Sequence, residues 1–442
     1  MKTRYLLRFG WRGACQRACS SLFAAAALAL MPAGAGWAEP LKLSTALEKT
    51  LLSHPQLQRF PYQQRQAEAL ALQAGLRPNP ALSLSLENVL GTGAYNGFDG
   101  AEATLAFSQL IELGDKRQRR VDLALAQQRQ QVADYEVARI EVLAETTRRY
   151  YALLRLQALQ SWNNQRMTVE QQAVAQVEAR AQAGSVLQAD VTRLKLQLAE
   201  SRAEQRRLGG EQALARRQLA AMWAEEPGFE TAQGNLSGLT RAPQVARVLD
   251  AANASPHYLQ LASQARLLEA KRRLEQARNA LDLTLGAGVK HALESNDTGL
   301  VFNLSVPLQL SDPNQGNLLA ASLAEEQQLA EQQWLRSEMR LTLLGLHQAV
   351  VQRLEQVDQI ETVLLPLAQQ WLKEMGQAYR VGQADVRALL DAQRRQFELE
   401  RQRIELQADA WLQLLELERL TGQPLNNSYP TPSLSTPLET QS

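Results

Sequence analysis

Cysteine is nearly absent from this chain of 442 residues, which contains only two. Both of them, Cys15 and Cys19, lie near the N-terminus and before the first apolar run. A lipoprotein signal places its cysteine after such a run, so we do not expect a lipid anchor. Once this N-terminal segment is removed, the chain has neither a disulfide framework nor a thiolate nucleophile.

Long hydrophobic runs are also missing. The longest hydrophobic segment extends from Leu22 to Met31 and follows several basic residues. It is far shorter than the ~20 residues that a membrane helix needs. Small residues at Gly36 and Ala38 complete an export signal, so we predict a signal peptide over residues 1–38. Because no later segment is apolar enough for a membrane helix, any passage through a membrane would have to be made by strands.

Neither sign of charge is in excess. The chain has 47 lysines and arginines against 46 aspartates and glutamates, which gives a formal net charge of +1. No basic surplus points to nucleic acid, and no acidic surplus points to a cationic partner. Aromatic residues make up only 5% of the chain, which favours long helices over an antiparallel sandwich.

Catalytic and metal-binding patterns are absent from the sequence. The four histidines are not paired at ligand spacing, and no cysteine or carboxylate cluster joins them. Neither a phosphate-binding glycine loop nor the H-E-x-x-H or G-x-S-x-G motif is present. We therefore expect no enzymatic activity, no cofactor and no dedicated metal site. The histidines are His54, His257, His291 and His347.

Helix breakers are missing from two long stretches, Asp115 to Ala183 and Gln383 to Thr421. An unbroken helix over the first would reach on the order of 100 Å. Apolar residues recur there at helical spacing, as at Val121, Leu125 and Val132. A stripe of this length is typical of a coiled coil and requires partner helices.

The chain also repeats itself with a period of about 200 residues. We predict a first copy over 39–225, a linker over 226–243 and a second copy over 244–422. The last residues, 423–442, are rich in Pro, Ser and Thr and predict a disordered tail.

Each copy reads as a helix, a β-hairpin, a long helix, a tight turn and a returning helix. The predicted hairpins are 81–110 and 280–308, and the predicted turns lie near Gly184 and Gly382.

The predicted strands alternate apolar and polar residues. The first places leucines on one face and Ser83, Ser85 and Glu87 on the other. Such alternation suits the wall of a barrel that encloses water. It suits equally well a small soluble hairpin packed on a helix, and periodicity does not separate the two. Four strands are too few to close a barrel, so a membrane role would require several chains, and three would give twelve strands.

These features together resemble the TolC family of outer-membrane efflux proteins over nearly the whole mature length. Within the family, two segments are similar to the outer-membrane component of cobalt–zinc–cadmium type pumps. The first is Arg77-Pro78-Asn79-Pro80, which leads into the first strand. The second is Phe107 to Arg117, which reads FSQLIELGDKR and departs from the group's pattern at Asp115 and Leu110.

The resemblance implies a mainly α fold with a membrane β-barrel portion. Three copies would form an α-helical barrel in the periplasm and a twelve-stranded β-barrel, with four strands per chain, in the lipid of the outer membrane. The expected function is that of a passive channel in a tripartite efflux system, most simply for heavy-metal cations. A periplasmic adaptor protein and an inner-membrane pump of the RND type are the expected partners.

The resemblance also assigns roles to residues at the two turns. The adaptor-contacting tips would be Gly184, Ser185 and Val186 in the first copy, and Gly382, Gln383 and Ala384 in the second. Each glycine permits a tight reversal between two helices.

A periplasmic constriction is implied beyond the tips, formed by Asp190, Asp385 and Asp391. Arg380 and Arg387 would pair with these carboxylates when the tunnel is closed. Asp190 and Asp385 have a second interpretation as residues that favour the start of a helix, and for Asp385 we prefer it.

Three alternatives remain open from the sequence. A TolC-like channel could instead export drugs, or could serve type I protein secretion. A soluble periplasmic coiled-coil scaffold would also contain long helical hairpins, although it would not require the four strands.

Overall fold

The computed structural model describes residues 39–308, 311 and 314–425. The predicted signal peptide, with both cysteines, and residues 426–442 of the predicted tail lie outside this range. None of the helices in the described range is both long enough and apolar enough to cross a membrane.

The first copy contains four helices and two strands. The elements are α1 (Leu43–Ser53), α2 (Phe60–Ala74), β1 (Ala81–Glu87), β2 (Glu102–Ile111), α3 (Lys116–Gln182) and α4 (Gln188–Ala220). Helix α3 is 67 residues long and has no interruption.

The second copy follows the same order, with one difference. A π-helical turn at Ile360–Leu364 divides its long helix into α7 and α8. The elements are α5 (Val245–Ala252), α6 (Pro256–Arg278), β3 (Leu283–Ala292), β4 (Asp297–Ser305), α7 (Gln315–Gln359), α8 (Leu365–Arg380) and α9 (Val386–Thr421).

The four strands form one antiparallel sheet in the order β1-β2-β3-β4. The central pairing, between β2 and β3, joins the two copies. One row across the sheet places Leu84, Leu105, Val289 and Leu300 side by side. Since side chains alternate along a strand, the apolar residues share one face and the small and polar residues share the other.

The structure shifts the third strand relative to the sequence prediction. The alternation predicts a strand from Ala280, whereas β3 begins at Leu283. Asp282 lies just before it, and its carboxylate accepts a hydrogen bond from Lys116 Nζ at 2.7 Å. This ion pair fixes the start of α3 to the start of β3.

The chain changes from strand to helix at Gly114 and Asp115, both of which have left-handed φ angles, +71° and +58°. A Cβ added to Gly114 would lie 2.3 Å from Cβ of Ala280, so only glycine fits. Glu112, just before this turn, forms a bidentate ion pair with Arg120 that lowers the pKa of the carboxyl group. The motif around Gly114 therefore builds a rigid joint between sheet and helices.

The long helices form a row in which each packs on the next. Helix α4 packs on α3, α3 packs on α9, and α9 packs on α7 and α8. The row therefore has α4 at one edge and α8 at the other.

The largest apolar core lies between α1, α3, α4, α7 and α9, and the predicted linker packs into it through Phe229, Leu236 and Leu239. Tyr150 of α3 joins the predicted linker to the segment before α1, because its hydroxyl group lies 2.8 Å from the carbonyl oxygen of Leu41 and 2.5 Å from that of Gln233. Burial raises the pKa of Tyr150 to about 12.

Candidate functional site at the helical tips

Both helical hairpins reverse through the same hydrogen-bonded turn. Gly184 and Gly382 have φ angles of +74° and +77°. The Gly184 N–H donates to the carbonyl of Ala181 at 3.0 Å, and the next N–H donates to the carbonyl of Arg180 at 2.9 Å. The second turn repeats this pattern, with Gly382 donating to Tyr379 at 3.3 Å. This is the Schellman arrangement, which ends a helix without leaving its last carbonyls unsatisfied.

The residues after each glycine are open to solvent to different degrees. Ser185 and Gln383 are exposed, whereas Val186 and Ala384 are half-buried. Val186 packs on an apolar cluster that we call the tip core. Its buried members are Val174, Val177, Val191, Leu194, Leu198, Val386 and Leu390. Because this cluster draws on α3, α4 and α9, it holds the two tips together within one chain.

A cation–π contact, absent from the sequence prediction, joins the two hairpins near their ends. The Arg180 guanidinium lies 4.4 Å from the centre of the Tyr379 ring. Arg180 lies in the last turn of α3, and Tyr379 lies in the last turn of α8. The buried hydroxyl group of Tyr379 has no hydrogen-bond partner among the described residues. In the sequence, the signal for this contact is the presence of basic and aromatic residues just before each tip glycine. Their proximity was not predictable, because it depends on the packing of two distant segments.

The two acidic residues nearest the tips differ in role. Asp385 is the N-cap of α9, and its Oδ1 accepts a hydrogen bond from the Ala388 N–H at 2.9 Å. Asp190 lies in the first turn of α4, where a carboxylate favours the positive end of the helix dipole. The N-cap of α4 is Leu187, whose side chain makes no capping bond.

The remaining constriction candidates are not brought together within the chain. Asp391 is exposed and pairs with Arg394 at 2.6 Å, three residues along the same helix. Arg380 and Arg387 are exposed and have no ion-pair partner among the described residues. The carboxylate–arginine pairing expected from the resemblance is thus not present within one chain.

The described residues contain no group of three or more His, Cys, Asp or Glu side chains arranged to hold a metal ion. Three of the histidines instead make single local contacts. The His347 ring faces the carbonyl of Pro243 at 2.8 Å, and His291 faces the Thr298 hydroxyl at 3.1 Å. His54 Nδ1 accepts from the Gln56 N–H at 3.3 Å.

Comparison with known proteins gives this geometry a context. The outer membrane efflux protein family matches residues 46–225, which lie within the predicted first copy. This part of the chain therefore resembles the outer membrane efflux proteins. The match and the relative described next support an efflux channel in the outer membrane.

One curated relative extends the likeness over most of the chain. It is the cobalt-zinc-cadmium resistance protein CzcC of Cupriavidus metallidurans, 26% identical over 392 residues. The match covers 87% of this chain and 91% of the relative.

Solved structures of outer-membrane channels share the fold. VceC of Vibrio cholerae superposes with a TM-score of 0.70 at 19% identity, covering 87% of this chain and 97% of VceC. The open state of MtrE from Neisseria gonorrhoeae gives 0.68 at 16% identity, covering 87% and 89%. The fold is therefore that of the TolC-like channels, a helical tunnel with a β-barrel portion. Of these proteins, MtrE is an outer membrane channel.

Proposed function

We propose that three copies of this chain close into one conduit, which receives heavy-metal cations from an inner-membrane RND pump through an adaptor protein and releases them outside the cell. The observation that supports this proposal is that both layers of the chain, the sheet and the row of helices, end in two open edges. The sheet ends at β1 and β4, and the row of helices ends at α4 and α8.

Within the part of the chain that the structure describes, neither outer strand is paired along its free edge, and the apolar face of both is exposed. Leu84 on β1 is 69% exposed and Phe302 on β4 is 77% exposed. Since an open edge with unpaired backbone groups is not stable in lipid, β4 of one copy is expected to pair with β1 of the next.

The helical edges carry exposed apolar residues at matching heights. Leu196 of α4 lies 12 residues after Gly184, and Trp371 of α8 lies 11 residues before Gly382. At ~1.5 Å per residue, both lie roughly 17 Å from their tips. Leu196 is 61% and Trp371 39% exposed in the single chain. Contact between α8 of one copy and α4 of the next would cover both and close a ring of twelve helices.

The tips are the proposed contact with the adaptor, through Gly184, Ser185, Val186, Gly382, Gln383 and Ala384. Exposed backbone at two adjacent turns offers a surface that an adaptor hairpin could meet end to end. Asp190 and Asp391, with Arg380 and Arg387, are the proposed constriction, in which pairing would occur between copies. Asp385 is assigned there only as a helix cap that shapes the second tip.

The cargo proposal rests on the likeness to the cobalt-zinc-cadmium resistance protein and on the motifs at residues 77–80 and 107–117. A deletion strain should lose tolerance to cobalt, zinc or cadmium and regain it from a plasmid copy. Unchanged tolerance to all three metals would end the metal assignment and favour drug efflux or type I secretion.

Assembly is tested separately from cargo. Envelope fractionation followed by light scattering in mild detergent should give a trimer from the outer membrane. A soluble periplasmic monomer or dimer would replace the channel with the coiled-coil scaffold.

A further inference from the structure

The packing between the long helices changes in character about three-quarters of the way down α3. The main core ends on α3 at Trp162, whereas the tip core begins at Val174. On α4 the corresponding limits are Leu208 and Leu198. Within this interval, the half-buried Met167 packs on the tip core and the half-buried Val169 packs on the main core. The two cores therefore meet through half-buried residues, and α3 has no fully buried apolar residue between Trp162 and Val174.

Polar side chains fill the interval between these cores, and we call them the polar layer: Asn163, Arg166, Glu170, Gln197 and Ser201. All but Arg166 and Gln197 are nearly inaccessible, with Glu170 only 1% exposed. Glu170 Oε1 accepts from Arg166 Nε at 2.8 Å and from Gln197 Nε2 at 2.9 Å. Asn163 Nδ2 donates to the carbonyl of Ser201 at 2.9 Å.

Several atoms of the polar layer have no partner within the chain. Glu170 Oε2, Asn163 Oδ1 and Ser201 Oγ are buried and make no hydrogen bond to any described residue. A buried polar atom without a partner costs about 1–3 kcal/mol, so such atoms in native proteins are usually met by ordered water. The polar layer offers water both acceptors and a hydroxyl donor.

The second hairpin has an irregular turn at the same height, where a small apolar cluster of Ile360, Leu365, Ala368 and Leu399 is packed. Asn163 and Glu170 lie 21 and 14 residues before Gly184, and the π turn lies 22 to 18 residues before Gly382. In this turn the Leu365 N–H donates to the carbonyl of Ile360, five residues back. Pro366 follows directly, has no N–H, and prevents a regular α-helical bond at this point.

We propose that the polar layer and the π turn together form a hydrated hinge, on which the tips move as one packed unit relative to the body. Hydrogen bonds to water exchange partners at little cost in free energy. Sliding within an interdigitated apolar core costs more, because it separates closely packed side chains. A π turn next to a proline is a common place for a long helix to bend. The role in opening the tunnel rests on the proposed channel function, but the hinge itself is a property of one chain.

Hydrogen exchange followed by mass spectrometry tests the hinge on the intact detergent-solubilised protein. Amides in 163–172 and 360–367 should exchange on the order of tenfold faster than those in 148–158 and in 174–181. Replacing the polar layer with apolar residues, Arg166→Met with Glu170→Leu and Gln197→Leu, should remove this difference. The matched control, Glu178→Leu with Lys195→Met, changes another ion pair between α3 and α4. It lies beside the tip core, and Lys195 Nζ is 2.5 Å from Glu178 Oε1.

Pro366→Ala provides a second variant that does not touch the buried charges. It should slow exchange in 360–367, while Pro256→Ala, at the first turn of α6, should not. Exchange in the polar layer as slow as in both flanking segments would overturn the hinge, as would no response to either set of substitutions. Light scattering on the same samples reports the trimer, so a failure of assembly is recognised separately.

Discussion

The two copies of the repeat share one architecture but solve its local problems differently. At the tips, Leu187 and Asp385 occupy equivalent N-cap positions, yet only Asp385 caps its helix. At the hinge level, Thr168 occupies the position equivalent to Pro366 and leaves α3 continuous. The comparison teaches that the duplication preserves the turns and the order of elements, while the segments between them have diverged.

Three glycines with left-handed φ angles differ in how well the structure would tolerate another residue in their place. Gly114→Ala should cost about 2–4 kcal/mol, because the new Cβ would meet Ala280 and the φ angle is unfavourable. Gly184→Ala and Gly382→Ala should each cost about 1 kcal/mol, since the space around both is open. Denaturant unfolding in detergent measures all three, and unequal costs at the two tips would show that the tips are not equivalent.

The Arg180–Tyr379 contact makes the tips of the two copies dependent on each other. Tyr379→Ala should lower the stability of the tip region by about 1–2 kcal/mol, through the lost cation–π contact and lost burial. Tyr379→Phe keeps the ring and removes a buried hydroxyl group that has no hydrogen-bond partner among the described residues. It should therefore be neutral or slightly stabilising. Protease cleavage at the tips should increase for the alanine variant only, and equal cleavage of both variants would argue against the contact.

The N-caps provide a reciprocal exchange between the copies. Asp385→Ala should cost about 1 kcal/mol, because the Ala388 N–H loses its acceptor. Leu187→Asp should stabilise α4 by roughly 0.5–1 kcal/mol, since it introduces a cap where the structure has none. The double substitution should be close to neutral when unfolding is measured at neutral pH. A loss from Leu187→Asp would instead indicate that Leu187, 69% exposed in one chain, is buried between copies.

Much of this architecture is predictable from the sequence because its signals are local and repeated. The breaker-free stretch from Asp115 to Ala183 predicts α3, and alternation predicts the strands. The glycine at each reversal predicts the tips. The start of β3 at Leu283 was not predictable, because alternation continues back to Ala280 while the ion pair between Asp282 and Lys116 decides the boundary.

The candidate site was less predictable than the fold. The position of Asp385 in the sequence fits both a carboxylate of the constriction and a helix cap. Only the backbone geometry of α9 shows that its carboxylate caps the helix. The Arg180–Tyr379 contact and the polar layer join residues that are distant in sequence. No periodicity in either segment encodes which face meets the other.

The smallest expected effect concerns two histidines at corresponding places in the copies, His54 directly after α1 and His257 in the first turn of α6. Burial lowers the pKa of both His54 and His257, and Arg149 adds to the effect at His54. A lowered pKa in the folded state means that stability is present above the unfolded value near 6.5 and is lost as pH falls through the folded value. His257, with a side chain only 22% exposed, should contribute more than His54. The slope of unfolding free energy between about pH 7 and pH 5 should therefore flatten more in His257→Gln than in His54→Gln. An equal slope in both variants would mean that the two histidine environments are electrostatically alike, and that this part of the duplication has not diverged.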